Sequence, residues 1–74
     1  MPLKKISGKE LIKILCNKFG FKALRQKGSH VILVKEFPKK VGCVVPLHKE
    51  LKIGTLKSIL KQAKIEEKEI EKYL

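Results

Sequence analysis

Two short apolar runs, Val31-Ile32-Leu33-Val34 and Val41 to Val45, flank Glu36-Phe37-Pro38-Lys39-Lys40. Runs this rich in β-branched residues read as strands. Pro38 cannot sit in a central strand, so the segment between the runs is a turn. The sequence thus predicts strands over 29–35 and 41–45. Folding about Pro38 sets Leu33 against Cys43, Val31 against Val45 and His30 against Pro46. Side chains alternate across a strand. Val31, Leu33, Cys43 and Val45 therefore share one apolar face, and His30, Ile32 and Val44 share the other. That apolar face must be buried against something, and the remaining apolar stripes of the chain have helical spacing.

The first stripe is Leu11, Ile14, Leu15 and Phe19, widened by Ile12 and Cys16. Ser7-Gly8-Lys9-Glu10 before it fits a capping box, and Gly20 after it is a natural stop. A helix over 8–19 follows, after a short lead at 2–6. The second stripe is Leu56, Ile59, Leu60 and Ala63, giving a helix over about 56–64 with Thr55 as candidate N-cap. Residues 47–53 form an irregular connection. Glu66-Glu67 open a short last helix, with Ile70 and Tyr73 or Leu74 packing back.

Phe21 to Arg25 reads as a first strand. A three-residue turn, Gln26-Lys27-Gly28, pairs Phe21 and Ala23 with Leu33 and Val31 and gathers four apolar residues on one face. A two-residue Lys27-Gly28 turn sets Arg25 opposite His30 instead, and the sequence leaves this register open. The element order is α-β-β-β-α-α. The fold class is α+β, a three-stranded antiparallel sheet with helices on one face, like the double-stranded-RNA-binding domain. The chain, 1–74, is one domain without repeats or linkers.

At 74 residues the core is modest, and any active site lies on an exposed face. The formal net charge is +11, from 18 basic and 7 acidic residues. All the acids are Glu, and every base except Arg25 is Lys. Such an excess points to a polyanionic partner. Met1 to Ile6 holds two lysines with no apolar stretch behind it, so no secretory signal is expected. No run is long enough for a membrane span. Cys16 and Cys43 lack metal-knuckle or redox spacing and fall at apolar-patterned positions. They read as small core residues in a reducing, cytoplasmic compartment.

Gly28-Ser29-His30 places an imidazole where a turn becomes a strand, at an end of the sheet that a partner can reach. Histidine is the side chain whose unperturbed pKa lies near neutrality, which suits acid or base work. The strand ending at Val45 returns beside His30, so His48 belongs to the same end of the sheet.

Taken together, Gly20-Phe21, Gln26-Lys27-Gly28-Ser29-His30, Val45-Pro46-Leu47-His48, Leu51-Lys52, Gly54-Thr55-Leu56 and Ile59-Leu60-Lys61-Gln62-Ala63 resemble the HicA family of toxins, over roughly residues 6–70. The resemblance implies a double-stranded-RNA-binding-like fold, cleavage of mRNA, and a cognate HicB-like antitoxin that covers the active face. It implies that His30 is catalytic and that Gly28 and Ser29 form the turn presenting it.

RNA carries its own nucleophile, the 2′-OH. A base to deprotonate it and cations on the phosphate suffice for cleavage, with no cofactor and no metal. His30 serves as base, as acid, or as both in turn. His48 is the candidate second acid/base, or else a loop histidine capping a carbonyl. Lys27, Lys49, Lys52, Lys57 and Lys61 surround this end of the sheet and the start of the 56–64 helix, and are the candidate RNA contacts. Lys57, Lys61 and Lys64 form a basic stripe on that helix. A Ser-His-Asp triad is excluded, since there is no Asp. The alternative function is a non-catalytic RNA-binding module of the same fold, which has no need of His30.

Overall fold

The computed structural model describes residues 5–74, so most of the lead at 2–6 lies outside the described residues. Helix α1 spans Gly8–Lys18, strands β1, β2 and β3 span Lys22–Lys27, His30–Lys35 and Val41–Pro46, and helices α2 and α3 span Ile53–Ala63 and Glu67–Ile70. A single 3₁₀ turn, Glu71–Tyr73, ends the chain. The three strands form one antiparallel sheet in the order β1-β2-β3. This is the expected α+β arrangement, like that of the double-stranded-RNA-binding domain.

The start of α1 follows from its sequence. The Ser7 hydroxyl accepts from the Glu10 N–H at 3.0 Å, and the Glu10 carboxylate accepts from the Ser7 N–H at 3.3 Å. At the other end Gly20 takes φ +77°, and the Phe21 N–H returns to the Leu15 carbonyl at 3.1 Å. Phe21, expected to open β1 opposite Leu33, is instead buried in the core just before the strand begins, and Ala23 pairs with Leu33.

Strands β2 and β3 pair in the expected register, His30 with Pro46, Val31 with Val45 and Leu33 with Cys43. Their inner face, Val31, Leu33, Cys43 and Val45, is buried in one cluster with Leu11 and Leu15 of α1 and Leu56, Ile59, Leu60 and Ala63 of α2. Both helices therefore lie on the same side of the sheet. Val34 is buried apart from that cluster, on the other face, between Lys22 and Gly42 of the flanking strands.

Burial pushes the Cys43 thiol up from 9.0 to about 11, with the nearby Cys16 adding to the effect. Above pH 9 an unfolded chain ionises this thiol while the folded one holds it neutral. Its contribution to stability is thus complete below about pH 9 and is lost as the pH rises towards 11. Iodoacetamide at pH 8 is expected to leave Cys43 unmodified in the folded protein and to label it after unfolding in urea, as peptide mass mapping would show.

Two expectations fail. Helix α2 begins at Ile53, three residues before the expected start, and its N-cap is Lys52, without a side-chain bond; Thr55 lies inside the first turn. The reason is packing. Ile53 precedes Leu56 by three positions and extends the same apolar stripe onto the core. The β1–β2 turn is also neither of the two considered. It is Gly28-Ser29, with Lys27 opposite His30. The Gly28 φ of +61° is carried by the first of the two turn residues, as a type II′ hairpin requires. The Gln26 side-chain amide donates to the Gly28 carbonyl at 2.9 Å and braces the turn.

Candidate active site

The end of the sheet that carries His30 is assembled by backbone bonds. The Leu47 N–H donates to the Ser29 carbonyl at 2.7 Å, extending the β2–β3 ladder past Pro46 into the turn. The Gly8 N–H donates to the His48 carbonyl at 2.9 Å, and the Leu51 N–H to the Ile6 carbonyl at 2.7 Å. Together they tie the start of α1 to the 46–51 segment. The β2–β3 hairpin, the Gly28-Ser29 turn and the first turn of α1 thus form one rigid corner.

His30 stands on this corner at the first position of β2, exposed. Its neighbours across the sheet are Lys27 on one side and Pro46 on the other. It lies on the face away from both helices, with Ile32 and Val44. Opposed residues in a sheet hold their Cβ atoms about 4.5–5.5 Å apart. The backbone therefore roots a lysine beside the imidazole.

His48 is at the same end but opens to the other side. It lines a cleft with Ser7, Lys9, Gln26, Val31, Leu47 and Lys49, between the start of α1 and the inner face of the sheet. Among the described residues neither imidazole has a hydrogen-bond partner, so His48 does not cap a carbonyl. Lys49 joins His48 in this cleft, and so does Lys9, whose place in the sequence marks only a helix cap.

Helix α2 runs back along β3. The Gln62 side-chain carbonyl accepts from the Val44 N–H at 3.2 Å, closing that edge of the sheet. Lys64 and Ala63 meet Val41 at the far end. The N-terminus of α2, with Lys52, therefore faces the His30 end. Lys57 and Lys61 share a shallow depression with Glu66 and Glu67, so part of the basic stripe on α2 has acidic neighbours.

A further concentration of positive charge lies on the sheet itself. None of the seven glutamates is in the sheet, whereas β1 carries Lys22, Arg25 and Lys27. Lys22 pairs with Val34, Arg25 with Ile32 and Lys27 with His30, so all three belong to the His30 face. Of these, Lys27 alone is marked in the sequence as a candidate RNA contact. Arg25 and Lys22 become legible as neighbours of His30 only once the β1–β2 register is known.

Among the described residues, no three His, Cys or Glu side chains gather in a way that could hold a metal ion. Among them too, no helix is long and apolar enough to cross a membrane. Compared with known proteins, residues 8–65 match the family model described as the HicA toxin of bacterial toxin–antitoxin systems. No curated protein and no solved structure matches the chain.

Proposed function

From the HicA toxin family of bacterial toxin–antitoxin systems, to which this chain belongs, we propose that it is an endoribonuclease that cuts mRNA through His30 and thereby inhibits translation in the cytoplasm. HicA toxins are in general mRNA-cleaving. The observation that carries the assignment to His30 is its placement. An exposed imidazole without a hydrogen-bond partner among the described residues stands at a strand start, beside Lys27, on a sheet face that neither helix covers.

The chemistry requires nothing more elaborate. His30 takes the proton of a 2′-OH, and O2′ attacks the adjacent phosphorus. The P–O5′ bond breaks, and O5′ leaves with a proton from the imidazolium. The products are a 2′,3′-cyclic phosphate and a 5′-hydroxyl. Cations beside the phosphate stabilise the extra charge of the transition state. Because His48 opens into the helix-side cleft, both proton transfers fall to His30 in turn. His48, with Lys49, meets the adjoining stretch of RNA. Gly28 and Ser29 present His30 and do not react.

Lys27, Lys49 and Lys52 bind phosphates around this corner, and Lys57 and Lys61 continue the path along α2. The uncapped N-terminus of α2 adds free N–H groups to it. RNA affinity therefore falls steeply with salt. Lys57→Gln should reduce the slope of log K against log salt by about one unit. A slope unchanged by that substitution would remove Lys57 from the binding surface.

The deciding experiment incubates the purified protein with a long RNA in the presence of a chelator. End analysis should find cyclic phosphates, and a 2′-deoxy residue at the cut site should block cleavage. Binding without fragments would favour the non-catalytic module, and loss of cutting on chelation would overturn the metal-free mechanism.

A HicB-type antitoxin is the proposed partner. It inhibits by laying acidic groups over His30 and the cations around it, because a surface at net charge +11 repels itself and calls for counter-charge. A complex in which RNA still reaches His30 would contradict this.

A further inference from the structure

Strand β1 changes its relation to β2 between Ala23 and Arg25. Ala23 pairs with Leu33, but Arg25, not Leu24, pairs with Ile32, so Leu24 is an extra residue bulged out of the ladder. The bulge decides which side chains face His30. In an unbroken alternation from Ala23 on the helix side, Arg25 and Lys27 would fall on the helix side and Leu24 and Gln26 on the open side. With the bulge, Arg25 and Lys27 join His30 on the open face, and Gln26 turns to the helix side, where it lines the His48 cleft. Leu24 is left 63 % exposed. The ladder leaves an apolar side chain in water and brings the chain's one arginine onto the proposed catalytic face.

Arg25 is a diagonal neighbour of His30, since its direct partner Ile32 lies two residues further along β2. Such diagonals span about 7–8 Å, within reach of a long side chain. That gap suits a phosphate held between a guanidinium and an imidazole. The planar fork of arginine matches two phosphate oxygens at once, which a lysine cannot do. No acidic residue lies in any of the three strands, so nothing in the sheet competes for it.

We propose that the bulge at Leu24 is a positioning device, and that Arg25 binds the scissile phosphate of the RNA beside His30 and stabilises its transition-state charge. The proposal rests on the ribonuclease reading given above. It adds a specific residue to that reading and separates this residue from the lysines that merely attract RNA.

Arg25→Gln should lower single-turnover cleavage about 100-fold, the usual scale for losing one transition-state charge donor. Arg25→Lys should recover only part of it. The decisive variant exchanges two neighbours, Arg25→Gln with Gln26→Arg. It preserves composition and net charge but moves the guanidinium to the helix side. Gln26→Arg alone, which retains Arg25 but gives up the Gln26 bond to the Gly28 carbonyl, serves as its control and measures what the change at position 26 costs by itself. Thermal midpoints and salt slopes are measured on all four. The exchange should bind RNA with a near wild-type salt slope and still cut about 100-fold more slowly than the Gln26→Arg control. An exchange variant that cuts at the wild-type rate would show that charge alone matters and would overturn the assignment. If the Gln26→Arg control is as slow as the exchange variant, position 25 is not responsible and the assignment is again overturned. A His30→Ala protein that still cuts would defeat the catalytic reading itself, whatever the arginine variants do.

Discussion

His30→Ala is expected to fold as the wild type does, to bind RNA with nearly the same affinity, and to lose cleavage and growth inhibition. Positioned acid–base groups are worth about 10²–10⁴-fold, and here one imidazole supplies both transfers, so the loss should lie at the upper end of that range. Three features argue that the fold survives. The side chain is exposed, it has no hydrogen-bond partner among the described residues, and it lies outside the core cluster. The pairings of position 30 with Lys27 and Pro46 are backbone pairings and do not depend on the ring. Matched thermal midpoints and a gel of RNA fragments test the prediction together. A mutant cutting at the wild-type rate would sink the catalytic role, and one that unfolds would make His30 structural. His48→Ala, in the adjoining cleft, should cost no more than about tenfold, since it removes no proton transfer.

The β2–β3 half of the fold was legible because pattern and turn agreed. A one-residue slip would part Val31 and Leu33 from Cys43 and Val45, and Pro38 fixes where the chain reverses. The capping box of α1 was legible for a similar reason, since Ser7 and Glu10 satisfy each other locally. Strand β1 is legible as a strand, but its register and its bulge are not. Its six residues are all exposed, so no apolar alternation marks its inner face. A bulge left by one exposed leucine has no signature in composition. The start of α2 was misplaced for another reason. Thr55 is a good cap by residue type, but Ile53 reaches the core only if the helix begins earlier, and burial outweighs a cap worth about 1 kcal/mol. The same division runs through the site. His30, Gly28 and Ser29 are written in one contiguous stretch, whereas Arg25, Lys22 and Lys9 join the site only through pairing across strands or packing of a helix end.

Gly8→Ala separates two effects of opposite sign. In an exposed helix interior, alanine is favoured over glycine by about 1 kcal/mol, so propensity alone predicts a more stable protein. Gly8, however, is buried at the first position of α1, and a Cβ there would overlap the Pro46 carbonyl oxygen and come within 3.2 Å of the Leu47 Cα. Both obstacles are backbone, so no rotamer change relieves them. The helix end cannot simply retreat, because the Gly8 N–H is bonded to the His48 carbonyl and the Ile6 carbonyl accepts from the Leu51 N–H. The expected result is destabilisation on the order of 3 kcal/mol, at the costly end of overpacking. Cleavage should fall with it, since Leu47 also holds Ser29 and thereby the turn that presents His30. Gly54→Ala is the matched control. It too lies in the first turn of a helix, but a Cβ there meets nothing within 4 Å, so the entropic gain of about 0.4–1 kcal/mol should appear as added stability. Urea unfolding of the two variants should shift the midpoints in opposite directions. A Gly8→Ala protein at least as stable as wild type would mean that α1 is not seated against Pro46, and that the corner carrying His30 is assembled in some other way.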